Sequence, residues 1–234
     1  VEVALAAWLL KDVSIRKGLL TGPTLVRFAV VAGLIAPLVS TGLASGTLWL
    51  WHHEPLGPNV LRWLVTDALG MLIVAPPLLL MSSPEAWTSK ATLRGRLLMG
   101  GLLVVTLAAV FGQSSLPLLF LVPPVLILIV FRCGAGSASV GLLIASAVSL
   151  ATLATGHGPI ALIDGGLDQR AMVQQLFLAT MVLTTLPVAA VLKDRAESEA
   201  RYRLLADNST DIIATFGLDG VFRYVSPAVR AAMG

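Results

Sequence analysis

The amino-acid sequence predicts an all-α polytopic membrane bundle followed by the beginning of an α+β domain. Of its 234 residues, 56% are hydrophobic and only 12% are charged, whereas soluble domains usually carry about a quarter of their residues as charged ones. Residues 28–53, 97–131, 133–163 and 171–192 contain no Asp, Glu, Lys or Arg. A helix of roughly 20 apolar residues crosses the hydrocarbon core of a bilayer, so these stretches predict membrane-spanning helices.

About seven spans are visible, and the apolar run at Val1 indicates that the first is truncated and that the chain is a piece of a longer protein. The region 97–131 holds two short spans around "GQSSLP", because a single span would place basic loops on opposite sides of the membrane. The predicted spans are 1–10, 25–51, 60–81, 97–112, 116–131, 136–156 and 172–192.

The loops between these spans alternate in charge. One set holds Lys11, Arg16, Lys17, Arg27, Lys90, Arg94, Arg96, Arg132, Lys193 and Arg195, and the other holds only Arg62 and Arg170. Basic residues accumulate in cytoplasmic loops, so the first set and the C-terminus are predicted to be cytoplasmic. The same alternation accounts for the net charge of +3. Scattered basic loops do not indicate nucleic-acid binding.

Beyond Leu192 the composition changes from apolar to charged and then to an alternating pattern. Residues 193–202 predict a solvated helical linker in which Glu197 and Arg201 form an i,i+4 pair. The segments "DIIATFG" and "VFRYVSP" predict two strands joined at Asp219-Gly220. Ser226 is then expected to be the N-cap of a helix. A hairpin and one helix cannot bury a core of their own, so residues 203–234 predict only the first part of a domain.

Asp67 is the acidic residue inside the apolar run "RWLVTDALGMLIVAPPLLL". A charged group at this depth is costly in lipid and is expected to face the bundle interior or a wet cavity. One interpretation is a sensing site that binds a cationic or hydroxyl-bearing ligand or takes up a proton. The other is a structural role, in which Asp67 accepts hydrogen bonds from Ser, Thr or Trp63.

Three further residues, Trp63, Arg132 and His157, are candidates for sensing. Arg132 ends a span, where it also suits an anchor that sets orientation, and His157 lies in the "GHGP" segment, which predicts a tight turn. His52, His53 and Glu54 do not make a preformed metal site, so no metal ligand is predicted. The sequence has no paired nucleophile and base and no phosphate-binding loop, so no catalytic residue and no cofactor are predicted.

The membrane part resembles the MASE1 family of bacterial membrane-associated sensor domains. The residues that carry the resemblance are "WLVTDALGMLIVAPPLLL", "LPLLFLVPPVLILIVFRCGAGSASVGLL" and "TGHGPIAL". Residues 201–234 resemble the opening of a PAS domain through "RYRLLADNSTDII", "LDG" and "YVSPAV". The two resemblances imply a sensor domain at 1–192, a linker at 193–202 and an incomplete PAS domain at 203–234. They also imply a diguanylate cyclase or histidine kinase output domain beyond the chain.

These observations predict the sensory input module of a bacterial transmembrane signalling protein in the plasma membrane. Its expected partners are the lipid bilayer, a second copy of the chain and a stimulus, which is a small molecule or another membrane protein. Two alternatives stay open at this point. One is a transporter or channel-like subunit with a regulatory PAS domain, and the other is a membrane scaffold that binds partner proteins.

Overall fold

The computed structural model describes residues 1–11, 21–52, 56–81, 87, 91–209 and 211–233. The helices are α1 (Glu2–Leu9), α2 (Gly22–Val30), α3 (Ala36–His52), α4 (Leu56–Met81), α5 (Leu93–Phe111), α6 (Val122–Thr155), α7 (Leu167–Asp207) and α8 (Ala228–Met233), and the strands are β1 (Ala214–Phe216) and β2 (Phe222–Val225). A π-helical turn, Val31–Ile35, lies between α2 and α3, and short 3₁₀ helices, Leu118–Leu121 and Pro159–Leu162, precede α6 and α7.

The first unit of the chain, Val1–Val191, is a bundle of apolar helices. Among the described residues, five helices are long and apolar enough to cross a membrane. Large apolar side chains are exposed around this unit; Val104 and Val105 on α5 are 64% and 66% exposed, and Leu183 on α7 is 70% exposed. Such side chains are stable where lipid surrounds them. The predicted helical membrane bundle is therefore confirmed in architecture.

A widened turn joins α2 to α3 without interrupting the helical path. Pro37 lies two residues after the end of the π-helical turn and is fully buried. A proline in a helix lacks an N–H donor, and its ring collides with the carbonyl four residues earlier, which here belongs to Gly33. The π turn gives that carbonyl room. A Cβ at Gly33 would lie 3.2 Å from Leu72 Cδ1, so the same turn packs closely against α4.

Helix α6 doubles back on itself at Gly134, so it consists of a first arm, 122–133, and a second arm, 135–155. Gly134 has a φ of 82° and a ψ of 177°, a region that is essentially restricted to glycine. A Cβ at Gly141 would lie 3.2 Å from Leu126 Cδ2. In a straight helix these residues would be about 22 Å apart. The two separate helices predicted at 116–131 and 136–156 are therefore confirmed, and their arms are antiparallel.

Replacing Gly134 with Ala should destabilise this helical hairpin. A Cβ is unfavourable at these dihedral angles, and the expected loss is about 1–3 kcal/mol of unfolding free energy. The measurement is reversible unfolding of the purified protein in mixed micelles. Gly101→Ala is the matched control, because Gly101 is exposed on α5 and a Cβ there meets nothing within 4 Å. Equal stability of the two variants would contradict the assigned turn.

Contacts between loops join segments that the charge pattern places on the same side of the membrane. The Arg62 guanidinium, on α4, lies 2.8 Å from the Asp168 carboxylate at the start of α7. The N–H of Gly158 donates to Ser114 Oγ at 2.9 Å. All four residues belong to the predicted outer loops or the helix ends beside them. The structure therefore agrees with the predicted alternation, and which side is cytoplasmic stays a prediction.

Cysteine labelling tests the predicted sidedness directly. We expect Ser115→Cys, in the exposed loop after α5, to react with a membrane-impermeant maleimide added outside intact cells. Ser89→Cys, outside the described residues, should react only after the membrane is permeabilised. The unmodified chain is the control, since Cys133 is buried. Labelling of Ser89→Cys from outside would overturn the charge-based orientation.

The second unit, Leu192–Gly234, begins with the last part of α7, which extends five residues beyond the predicted linker end at 202. The predicted Glu197–Arg201 pair is wrong. Glu197 Oε1 lies 3.6 Å from Lys193 Nζ instead. Lys193 and Arg201 each lie four residues from Glu197. The side chain of Lys193 is only 22% exposed, so the Lys193 ammonium is the less hydrated of the two cations and the more favourable partner for Glu197. The predicted helix itself is confirmed.

The predicted hairpin is confirmed as an antiparallel pair of β1 and β2, with Ala214 opposite Val225. Gly220 in its turn has a φ of 74°. The predicted capping role of Ser226 is wrong, because its hydroxyl accepts the N–H of Ile213 at 3.0 Å and so ties the segment before β1 to the end of β2. The Tyr224 hydroxyl donates to Asp207, which raises the pKa of Tyr224. In the described part of residues 203–234 the structure shows two short strands and α8, and a PAS domain is not shown.

Candidate functional site

Asp67 lies near the middle of α4, eleven residues after its first residue, Leu56. This corresponds to about 16 Å along the helix axis from Leu56 and to about 10 Å from Val60, where the candidate membrane span begins. The side chain is only partly exposed. Helix α4 packs against the π-helical turn and α3. A polar side chain of this neighbouring helix therefore lies beside Asp67.

Ser40 on α3 is the hydrogen-bond donor to Asp67. Its Oγ lies 3.2 Å from Asp67 Oδ2 and 3.1 Å from the carbonyl oxygen of Pro37. The hydroxyl can therefore switch between a carboxylate on a neighbouring helix and a carbonyl on its own helix. Of the donors expected from sequence, the serine is confirmed, whereas the described contacts of Asp67 do not include Trp63.

Glu2 on α1 is a second carboxylate in the same region. Its Oε1 is buried without a hydrogen-bond partner among the described residues, and α1 packs against α3, the helix that carries Ser40. A buried carboxylate oxygen without a donor is costly in an apolar bundle, and a bound proton or cation would offset that cost. Glu2 was not predicted from the sequence, although "VEVALAAWLL" carries the same signal as Asp67, an acidic residue within an apolar run.

Two buried hydroxyls follow Ser40 on α3. Thr41 is 2% exposed and Ser45 is 5% exposed, and neither hydroxyl oxygen has a partner among the described residues. Ser40 and Asp67, which are joined by a hydrogen bond, and the unpaired polar groups of Glu2, Thr41 and Ser45 on the neighbouring helices α1 and α3 are together called the polar cluster below. Unpaired buried polar groups are costly, so this part of the bundle is suited to binding a proton, a cation or a hydroxyl-bearing molecule.

The other predicted sensing residues do not join the polar cluster. Trp63 lies one helical turn before Asp67 and is 37% exposed. Arg132 is exposed beside the turn at Gly134, and His157 is exposed beyond Thr155, whose carbonyl it contacts through Nδ1 at 2.8 Å. The second arm of α6, about 31 Å long, separates Arg132 from His157. A single site containing both residues is therefore excluded in this fold.

The "GHGP" segment forms the tight turn expected from sequence. Gly156 has a φ of 70° and Gly158 a φ of 85°, and the N–H of Gly156 caps the preceding helix at Leu153. Within the described ranges, no three His, Cys, Asp or Glu side chains are placed to hold a metal ion. His53 and Glu54 lie outside the described residues.

A family model described as MASE1 matches residues 1–196. The chain belongs to the MASE1 family. MASE1 is a membrane-associated sensor domain of signalling proteins, so the predicted membership is confirmed. The match covers the apolar helices and ends within α7. No curated protein and no solved structure matches the chain, and the comparisons lend no support to a PAS or output domain in the residues that follow.

Proposed function

We propose that this MASE1 domain is the sensory input module of a transmembrane signalling protein, and that it relays a stimulus to a cytoplasmic PAS domain and a further output domain. The output is a diguanylate cyclase or a histidine kinase. The observation that carries the proposal is α7, one helix of 41 residues, about 62 Å long. Its part 171–192 contains no charged residue, and it ends in a charged segment.

The polar cluster is the proposed place where the stimulus acts. Asp67 on α4 accepts a hydrogen bond from Ser40 on α3, and Glu2 on α1 has a buried carboxylate oxygen without a partner among the described residues, so a bound proton or cation would change the contacts between these helices. A stimulus shifts a signalling equilibrium only if it binds the two arrangements differently. The Ser40 hydroxyl has acceptors on two helices, so its hydrogen bond would differ between the two arrangements.

Orientation and location belong to the same proposal. The C-terminus is cytoplasmic and the membrane is the bacterial plasma membrane. The excess of basic residues in one set of loops supports this orientation, and the contacts between segments on the same side support the alternation on which it rests. The relay is tested by changing the rotational phase of α7 beyond the bundle and measuring the output of the full-length protein.

A further inference from the structure

A second feature of the bundle is a cavity of about 380 Å³ between α4, the second arm of α6 and α7. Its volume lies within the range of sites that hold small molecules. The wall is mostly aliphatic and includes Leu69, Ile73, Ala147, Leu150, Leu153 and Leu178. None of the described residues that line it carries a charge. A cavity of this composition favours a neutral, largely apolar occupant.

Most polar groups in the wall are already satisfied. Thr66 and Ser146 donate to the carbonyls of Arg62 and Leu142 on their own helices, each at 2.8 Å. Gln175 Nε2, which is on α7, donates to Thr66 Oγ1 at 2.9 Å. These groups therefore present little unused hydrogen-bonding capacity to a molecule in the cavity.

Gln174 is the exception. It is 2% exposed, its Oε1 accepts a hydrogen bond from Ser149 Oγ at 2.9 Å, and its Nε2 has no partner among the described residues. A buried donor without an acceptor is unfavourable. A water molecule is a poor substitute, because buried waters usually need two to four polar partners. The unpaired amide is therefore suited to an acceptor group on an otherwise apolar molecule.

We infer that this cavity binds a neutral, largely apolar molecule that carries a carbonyl or similar acceptor, with Gln174 as the donor. The inference goes beyond the proposed function, since binding at the cavity is measured directly and without an output domain. Occupation would place the ligand against α7 through Gln174 and Leu178. The acceptor could be the ester of a membrane lipid or belong to a free molecule.

The test uses the full chain with Ala147→Cys, a residue in the cavity wall, and follows its reaction with N-ethylmaleimide in detergent micelles. The probes are 2-octanone, which has an acceptor, and nonane, which has the same number of heavy atoms and no acceptor. We expect 2-octanone to protect the cysteine at a concentration about three- to tenfold lower than nonane, as one hydrogen bond would give.

Variants separate the hydrogen bond from the shape of the cavity. Gln174→Leu should abolish the preference for the ketone, whereas Gln169→Leu, an exposed position on the same helix, should retain it. Gly70→Leu should fill the cavity and abolish protection by both probes, because a Cβ at Gly70 meets nothing within 4 Å. Gly101→Leu, equally open, is its control. Equal protection by both probes, or an unchanged preference in Gln174→Leu, would overturn the inference.

Lipid composition distinguishes the two sources of the acceptor. The labelling is repeated in nanodiscs of ester-linked and of ether-linked phosphatidylcholine. If a lipid ester occupies the cavity, 2-octanone should protect weakly in the ester-linked discs and strongly in the ether-linked ones. Equal protection in both would assign the site to a free molecule. A failure of signalling by the full-length protein would not change either result.

Discussion

Replacing Asp67 with Asn should lock or abolish signalling while the protein inserts into the membrane at its normal level. Asn retains an oxygen that can accept a hydrogen bond from the Ser40 hydroxyl but removes the negative charge. Coupling between a sensing site and an output typically changes affinity by about 5- to 150-fold, and we expect a change of about tenfold or more in stimulus-dependent output. Membrane abundance and output are measured together in the full-length protein.

Three variants identify the cause. Glu2→Gln should have the same effect if the two carboxylates act together, and the double variant should then be no worse than either single one. Ser40→Ala removes the hydrogen bond and keeps both charges. Asp164→Asn, in an exposed loop, is the matched control and should signal normally. Normal output and abundance for Asp67→Asn would leave Asp67 with a structural role only.

Inserting one residue after Ser198 should scramble the output, whereas inserting seven should be far milder. One residue turns everything beyond it by about 100°, but seven residues turn it by about 700°, which is within about 20° of two full turns. Ser198 lies inside α7, between the Lys193–Glu197 and Glu199–Arg203 ion pairs. A change of about tenfold in output is expected for the one-residue insertion.

Insertions of two, three and four residues complete the series, and output should follow the helical phase. The same lengths inserted between Gly165 and Gly166, in the loop before α7, are the control, because that loop does not lie between the bundle and the output. Equal tolerance of every length after Ser198 would mean that the segment is only a tether. Equal loss at every length, including seven, would mean that distance and not rotation carries the signal.

The importance of Asp67 could be predicted from the sequence, but its partners could not. One acidic residue in an apolar run is visible in the sequence because a carboxylate in lipid is costly. Ser40 is 27 residues away and Glu2 is 65 residues away, and no local pattern pairs them with Asp67. Ser40 meets Asp67 because the widened turn before Pro37 lets α3 pack on α4, and α1, which carries Glu2, packs on α3.

The helical hairpin of α6 was likewise predicted from the sequence only in part, and packing decided the rest. The uncharged apolar runs on either side of Arg132 predicted two spans, 116–131 and 136–156, and the structure has two helical arms there. The one-residue turn at Gly134 was not predicted, since "CGAGSAS" contains two glycines and either could break a helix. Only the packing of Gly141 against Leu126 and Leu103 determines which glycine adopts the extended left-handed conformation.

The sequence by itself determined the membrane class, the MASE1 family, the approximate helices and the C-terminal hairpin, because these depend on composition, local periodicity and loop charge. Tertiary structure alone decided the polar cluster, the separation of Arg132 from His157 and the cavity beside Gln174. Each of these depends on distances between residues far apart in the chain. Gln174 illustrates the reason. In the sequence it is one of two glutamines in "MVQQLF", and nothing there marks it as a binding residue. Its amide becomes buried and unpaired only when α4, α6 and α7 pack around it.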